Sequence, residues 1–412
     1  MAGVFIFGHL RRANEGVIQN GSILAHVSPL LMIVVFDTAL SRRQLYPLSL
    51  TRPIADLRVG TTTLAQWWGS LSGQPVCSLS EKHLTPTLPR AAIYHCIDAT
   101  VLPDVALCSA ILQLQPGEVL EDAAGIVAFC TTTMPAYAQF PVWSTGQPIA
   151  ATARRFEHSS TLVQLNAGFI QQTVSAAPWP PANEQIQRTN TLIGNQLYMA
   201  ASARMQACII NTEEGPVVID EQALVMEGCI IRGPVYIGKG TVVKAGARVY
   251  GGTSIGERCT VGGEIKQSIF HDYSNKAHDG YLGDSYIGAW CNLGAGTSNS
   301  NVKNTAGTVQ VWQQAEQRYI PAGVKAGTIM GDYSRTAINT SLNTGCCVGV
   351  CCSLHEAGIF SGHIPSFSWG ISTRYQLEKA VEHIRNWKRL KGQELTEAEL
   401  HTLSNVFNHH SA

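Results

Sequence analysis

Charge is scarce in this chain: 29 basic and 29 acidic residues account for 14% of 412 positions and cancel to a formal net charge of zero. A protein that tracks a phosphate backbone needs a block of Lys and Arg, and with none present a nucleic-acid partner is excluded. Long apolar runs are also missing, since no stretch reaches the roughly 18 residues of a membrane-spanning helix. Arg11 and Arg12 follow the apolar start instead of preceding it, the wrong order for a secretory leader, so the cytoplasm is the expected compartment. Among 12 cysteines there is no CxxC pair matched by a second at zinc-site spacing. The doublets Cys346-Cys347 and Cys351-Cys352 read as small apolar filler in a reducing compartment, with a redox or metal role as the alternative.

Apolar residues make up 45% of the chain and glycine reaches 38 positions, a balance that favours tightly packed β structure rich in turns. The length calls for two parts. Residues 1–31 read as an N-terminal extension, and Met32 offers an alternative start. From residue 32 to about 150, strand-like runs (Ala91 to Ile97, Gly125 to Phe129) alternate with helix-like ones (Thr62 to Ser70, Val105 to Leu114), within a domain expected to span 32–190. That alternation predicts a Rossmann-like α/β domain with a mostly parallel sheet. A proline cluster at 178–181 marks the break.

Beyond it, Ile219, Val225, Ile231, Ile237, Val243, Val249, Ile255 and Val261 recur every six residues without a miss. Neither a helix nor a flat sheet has that period; a triangular coil with one short strand per face does. We therefore expect a left-handed parallel β-helix over 191–372, its branched residues pointing inward and its glycines (Gly238, Gly240, Gly246, Gly256, Gly262) at the corners. The register is expected to resume through Tyr281, Ile287 and Leu293, and again through Ile338, Thr344 and Val350. In 373–412, Leu377, Ala380, Val381, Ile384, Trp387 and Leu390 have helical spacing, and Thr396 to Glu399 forms a capping box for a second helix covering an end or flank of the coil.

Five polar side chains interrupt the repeat between 264 and 301: Lys266, His278, Tyr281, Asn292 and Asn301. An imidazole can take a proton from an amine or hydroxyl attacking a thioester, while lysine and asparagine can hold phosphate and sugar hydroxyls. Gly294-Ala295-Gly296-Thr297 would let a pantetheine arm lie along the backbone, whose N–H groups can face a developing oxyanion. A structural role for a lone histidine in such a coil is the competing reading.

The segment resembles the acetyltransferase domain of the GlmU family, whose KAGHLTYLGD motif is answered here by KAHDGYLGD. Lys266 lies twelve residues before His278, with Tyr281 three, Asn292 fourteen and Asn301 twenty-three after it. The resemblance implies that His278 is the general base, that Lys266 and Tyr281 bind the sugar phosphate, that Asn292 and Asn301 hold the sugar, and that Ala295 lies beside acetyl-CoA.

The run from Leu45 to Pro53, followed by Arg58-Val59-Gly60, resembles the nucleotide-binding start of sugar nucleotidyltransferases. Here, however, Asp37 to Arg43 replaces the Gly-rich loop and Ile54 replaces the usual lysine. Arg42, Arg43, Arg52 and Arg58 are candidate phosphate clamps or, equally, salt-bridge partners. Asp98, at the end of a later strand, is the candidate Mg²⁺ ligand. Asn166-Ala167-Gly168 is similar to a sugar-contact motif. The sequence thus predicts a homotrimer taking an amino sugar phosphate, an acyl-CoA and an NTP, in which the first domain binds or makes a nucleotide sugar and the coil transfers an acyl group. The alternative is a non-catalytic binding or regulatory protein that keeps both folds.

Overall fold

The computed structural model describes residues 31–85, 87–133, 135–137 and 149–410. Residues 1–30, most of the expected extension, lie outside the described residues. The chain continues at once into the buried run β1 (Leu31–Phe36), pairing in parallel with β2 (Val76–Leu79) and β3 (Ile93–Asp98). The sheet then turns mixed: β5 (Gly125–Thr131) runs antiparallel to both β3 and β4 (Val119–Asp122), and β6 (Ile149–Ala150) closes the order β2-β1-β3-β5-β4-β6. The expectation of a mostly parallel sheet thus holds, with β5 the one strand of the six that runs against the others. Between β4 and β5 only Ala123 and Ala124 intervene, a hairpin connection that forces antiparallel pairing. Helices α1 (Ala39–Gln44) and α2 (Leu64–Ser72) open on capping boxes set by Thr38 and Thr63; α3 (Val105–Gln113) and α4 (Ser159–Ser175) follow.

From Thr191 the chain winds as a three-sided parallel β-solenoid. Three ladders run along it: a nine-stranded one starting at Leu197–Met199, a ten-stranded one starting at Arg204–Met205, and a six-stranded one starting at Thr191–Ile193. We call them the docked, helix-covered and open faces. All eight residues of the six-period run point inward and are at most 1% exposed. Six of the cysteines, Cys208, Cys229, Cys259, Cys291, Cys346 and Cys352, belong to the same core two places before an inward residue, where the corner admits only a small side chain. All twelve cysteines are free.

The corner glycines serve two needs. Gly240 has φ +64°, whereas a Cβ on Gly238 would come within 2.7 Å of the Gly256 carbonyl one coil on. After Val261 the inward residues are Ile265, Phe270, Lys276, Leu282, Ile287, Leu293 and Asn299, so two successive coils are shortened, most strongly between Val261 and Ile265. Beyond a hairpin (Gln310–Gln313 with Arg318–Pro321) they are Met330, Thr336, Leu342, Val348, Leu354 and Phe360. Ile287 and Leu293 keep their expected places. Tyr281 instead points out, because the short steps after Val261 make Leu282 the inward residue, and Ile338 is 70% exposed at a corner, because the chain re-enters the coil after the hairpin with Thr336 inward.

The first domain packs directly on the docked face. Ile33, Val35 and Trp67 share one apolar cluster with Ile269, Tyr286 and Ile329 of the solenoid, and α4 contacts three strands of that face. Helices α5 (Leu377–Leu390) and α6 (Glu397–His410) cover the helix-covered flank. Lys388 lies over the Trp290 ring at 5.0 Å and Lys391 over Tyr273 at 5.9 Å. Thr396 and Glu399 form the expected capping box.

Candidate functional site

The open face carries the polar series. Strands Glu264–Lys266 and Tyr281–Gly283 pair in register, which sets Lys266 beside Gly283 and the carboxylate that follows it, Asp284. Asn301 donates through Nδ2 to the Tyr281 hydroxyl at 3.1 Å and also to Asp284. Burial pushes the Asp284 carboxyl up, against the opposing pull of Asn301, Lys325 and Lys266. The Tyr281 hydroxyl is pushed up to about 12 by burial and by the Asp284 and Glu264 charges, so it is a hydrogen-bonding phenol and not an anion. Lys266, Asp284 and Lys325 line a cavity of about 430 Å³ together with Gln164, which α4 of the first domain supplies. Two cations against one carboxylate suit an anionic group.

His278 is exposed on the corner between the inward Lys276 and the strand of Tyr281. The corner Gly294 to Thr297 stacks against it, tied by Gly296 N–H to the Asp279 carbonyl at 3.1 Å. The structure therefore brings together Lys266, Tyr281 and Asn301, with His278 one corner away and the glycine stretch next to His278.

Three expectations need correction here. The N–H groups of Gly294, Gly296 and Thr297 are spent on the Thr336, Asp279 and Gly294 carbonyls, so of the four residues only Ala295 keeps an N–H that could face an oxyanion. Thr297 turns its hydroxyl into the prism, 2.8 Å from that of Thr336, and so is buried away from any acyl-CoA. Asn292 stands on the helix-covered face, where its Oδ1 accepts from Asn275 at 3.4 Å, and not with the open-face group. Conversely, Asp284 and Lys325 escaped the sequence reading. Lys325 is separated from Asn301 by the hairpin insertion, although its place just before the re-entry at Ile329 marks it as facing the same corner.

The arginines of the first domain answer to carboxylates. Arg42 is buried against Asp37 at 3.0 Å, and the Asp37 carboxyl is raised to about 6 by burial despite that partner. Arg52 pairs with Asp332 and Arg58 with Asp272 at 2.8 Å, both across the domain interface. Of the four, Arg43 alone is exposed. The phosphate-clamp reading of Arg52 and Arg58 thus gives way to interdomain ion pairs. Asn166, fully buried, likewise staples domains: it accepts from Gly60 N–H at 2.9 Å and donates to the Gly252 carbonyl at 2.8 Å.

Asp98 fits a metal poorly. Its Oδ1 takes the Thr100 N–H at 2.8 Å and hydroxyl at 2.6 Å and faces Arg155 at 3.5 Å. Among the described residues no group of three or more His, Cys, Asp or Glu side chains could hold a metal ion. The cavity of about 620 Å³ where the first domain meets the solenoid and α6 is lined by Asp56, Asp272, Asp332 and Glu399 against Arg52, a poor setting for a triphosphate. No helix among the described residues is long and apolar enough to cross a membrane.

Residues 33–175 match the sugar nucleotidyl transferase family model. The bifunctional protein GlmU of Synechococcus elongatus is 26% identical over 219 residues, 52% of this chain and 42% of that protein. GlmU of Clostridium botulinum is 32% identical over 110 residues, 26% of this chain and 22% of that one. The chain thus spans less than half the length of the relatives it matches. Among solved structures, a UDP-N-acetylglucosamine O-acyltransferase from Moraxella catarrhalis aligns over 53% of this chain and 97% of its own at 11% identity and a TM-score of 0.26. The chain thus joins a first domain that matches the sugar nucleotidyl transferase model to a three-sided parallel β-solenoid, and it is similar to GlmU proteins over about half of its length.

Proposed function

We propose that the protein transfers an acyl group from acyl-CoA, in the first instance acetyl-CoA, to the amine of an amino sugar phosphate at the open face, and that its first domain no longer performs nucleotidyl transfer. The observation that carries this reading is the cavity holding Lys266, Lys325 and Asp284 beside Tyr281 and Asn301, one corner from an exposed His278. The lysines take the phosphate. Asn301 and Tyr281, linked to each other, orient the sugar. His278 accepts a proton from the amine as its nitrogen attacks the thioester carbonyl; the N–C bond forms, the C–S bond breaks, and the departing thiolate takes the proton back from the imidazolium. The identity of the sugar enters only through this polar set, which recognises hydroxyls and an anion.

The test is release of free CoA thiol from acetyl-CoA with a panel of amino sugar phosphates. Release should depend on the phosphate, and Lys266→Ala or Lys325→Ala should each raise the acceptor KM by about tenfold, the weight of one charge-assisted contact. Thiol release that ignores both substitutions overturns the reading. A parallel assay with NTP, sugar phosphate and Mg²⁺ should yield no pyrophosphate. Loss of the Gly-rich loop and the carboxylate-lined junction favour that outcome.

We also infer a homotrimer formed through the open face. The docked and helix-covered faces are occupied by the chain's own first domain and C-terminal helices, while Ile209 and Ile230, stacked in adjacent coils of the open face, are each 42% exposed. Packing there would set the cavity at a seam between copies. Light scattering should give three times 44.4 kDa in solution; a monomer mass at micromolar concentration refutes it.

A further inference from the structure

Inside the solenoid every inward residue from Ile219 to Ile265 is aliphatic; then Phe270 is followed by a lysine. Lys276 occupies the inward place between Val261 and Leu293 on their ladder and is 1% exposed. Burying an ammonium in an apolar prism costs several kcal/mol unless it is well bonded, and an aliphatic residue would satisfy the repeat at no such cost. Its Nζ spends its protons on the corner beside it, donating to the Gly262 carbonyl at 3.1 Å and to the His278 carbonyl at 2.9 Å.

The reason for a tie at this place lies in the more strongly shortened coil. Val261 and Ile265 are four residues apart instead of six, so the corner between them is reduced to Gly262-Gly263. A Cβ on Gly263 would sit 2.9 Å from the His278 carbonyl. The stripped corner can therefore contribute no side chain to steady the longer corner stacked on it, the one that carries His278. Without Lys276 both carbonyls would face an apolar interior. Burial pushes its amine down to about 8, with Asp279 the charge that opposes this.

We propose that Lys276 is a positioning residue for His278, fixing the backbone of its corner from inside the prism so that the exposed imidazole keeps one direction. This rests on the assignment of His278 as the base.

The experiment compares Lys276→Met, His278→Ala and the double variant in the full-length chain by CoA thiol release, with rates expressed per folded molecule from circular dichroism. Methionine matches the length and the apolar setting but donates nothing. We expect Lys276→Met to lower kcat by about tenfold or more, the weight of a displaced reacting group, with both KM values within about twofold. In the His278→Ala background the same substitution should change nothing further, because its effect passes through the imidazole. Should methionine fail to fold, Lys276→Leu, which restores the aliphatic repeat, takes its place. Unchanged kcat in Lys276→Met beside an inactive His278→Ala overturns this inference alone, as does an additive loss in the double variant. An active His278→Ala removes the base assignment and this inference with it.

Discussion

His278→Ala should lower acyl transfer by about 10²–10⁴-fold, the usual contribution of a positioned general base, without altering the fold. The second half of that expectation comes from the exposed position of His278 at its corner. Because no packing is lost, the melting temperature serves as the control. The acceptor KM should stay near its original value, since Lys266, Lys325, Tyr281 and Asn301 remain in place. A variant that keeps within about threefold of the parent rate would leave the imidazole with no catalytic part. A variant that loses rate and melting temperature together would point to a structural histidine instead.

Arg52→Ala should be the most destabilising single change outside the solenoid core. It strips a buried interdomain pair and leaves Asp332, whose side chain is 4% exposed, without its cation. Breaking such a pair from one side costs about 3–5 kcal/mol. The double change Arg52→Met with Asp332→Leu should recover much of that loss, because the greatest cost is the stranded charge and not the missing attraction. A melting temperature unmoved by Arg52→Ala would show that this pair does not hold the domains.

The same junction should respond to acid. His271 is held below the usual imidazole range by burial and by the Arg52 charge, with Arg58 acting the same way and Asp272 and Asp332 opposing. A base whose folded pKa is depressed contributes stability that is present above its unfolded value of about 6.5 and is lost as pH falls below it. The first thermal transition should therefore drop on acidification below about pH 6.5. In His271→Gln that part of the slope should flatten; a slope identical to that of the parent would assign the acid response to other groups.

The repeat was legible because an inward side chain every six residues is a local property of the chain. The shortening was not, since the two residues missing between Val261 and Ile265 only turn later side chains about the prism axis. Tyr281 therefore reads as inward on spacing alone when it points out, and nothing in the spacing marks Lys276 as lying inside the prism. The polar series showed itself as interruptions of the repeat, but spacing could not say that Asn292 belongs to another face. The arginines were the least legible. Their partners Asp332 and Asp272 lie 280 and 214 residues away, and nothing near Arg52 or Arg58 distinguishes a phosphate clamp from a domain staple. Asp98 looked available because the capture of its oxygen by Thr100 is a turn geometry, invisible until the backbone is placed.

A free-standing solenoid frays from its tips, each coil held only by the two it touches. Here Asn166 grips Gly252 and Ser254, Arg58 reaches Asp272 and Tyr286, Arg52 reaches Asp332, and Tyr46 meets His363 at 3.0 Å. One rigid body thus holds successive rungs like a splint along a spring. Peeling from either tip would halt where the splint begins, and the rungs beneath it could only let go together.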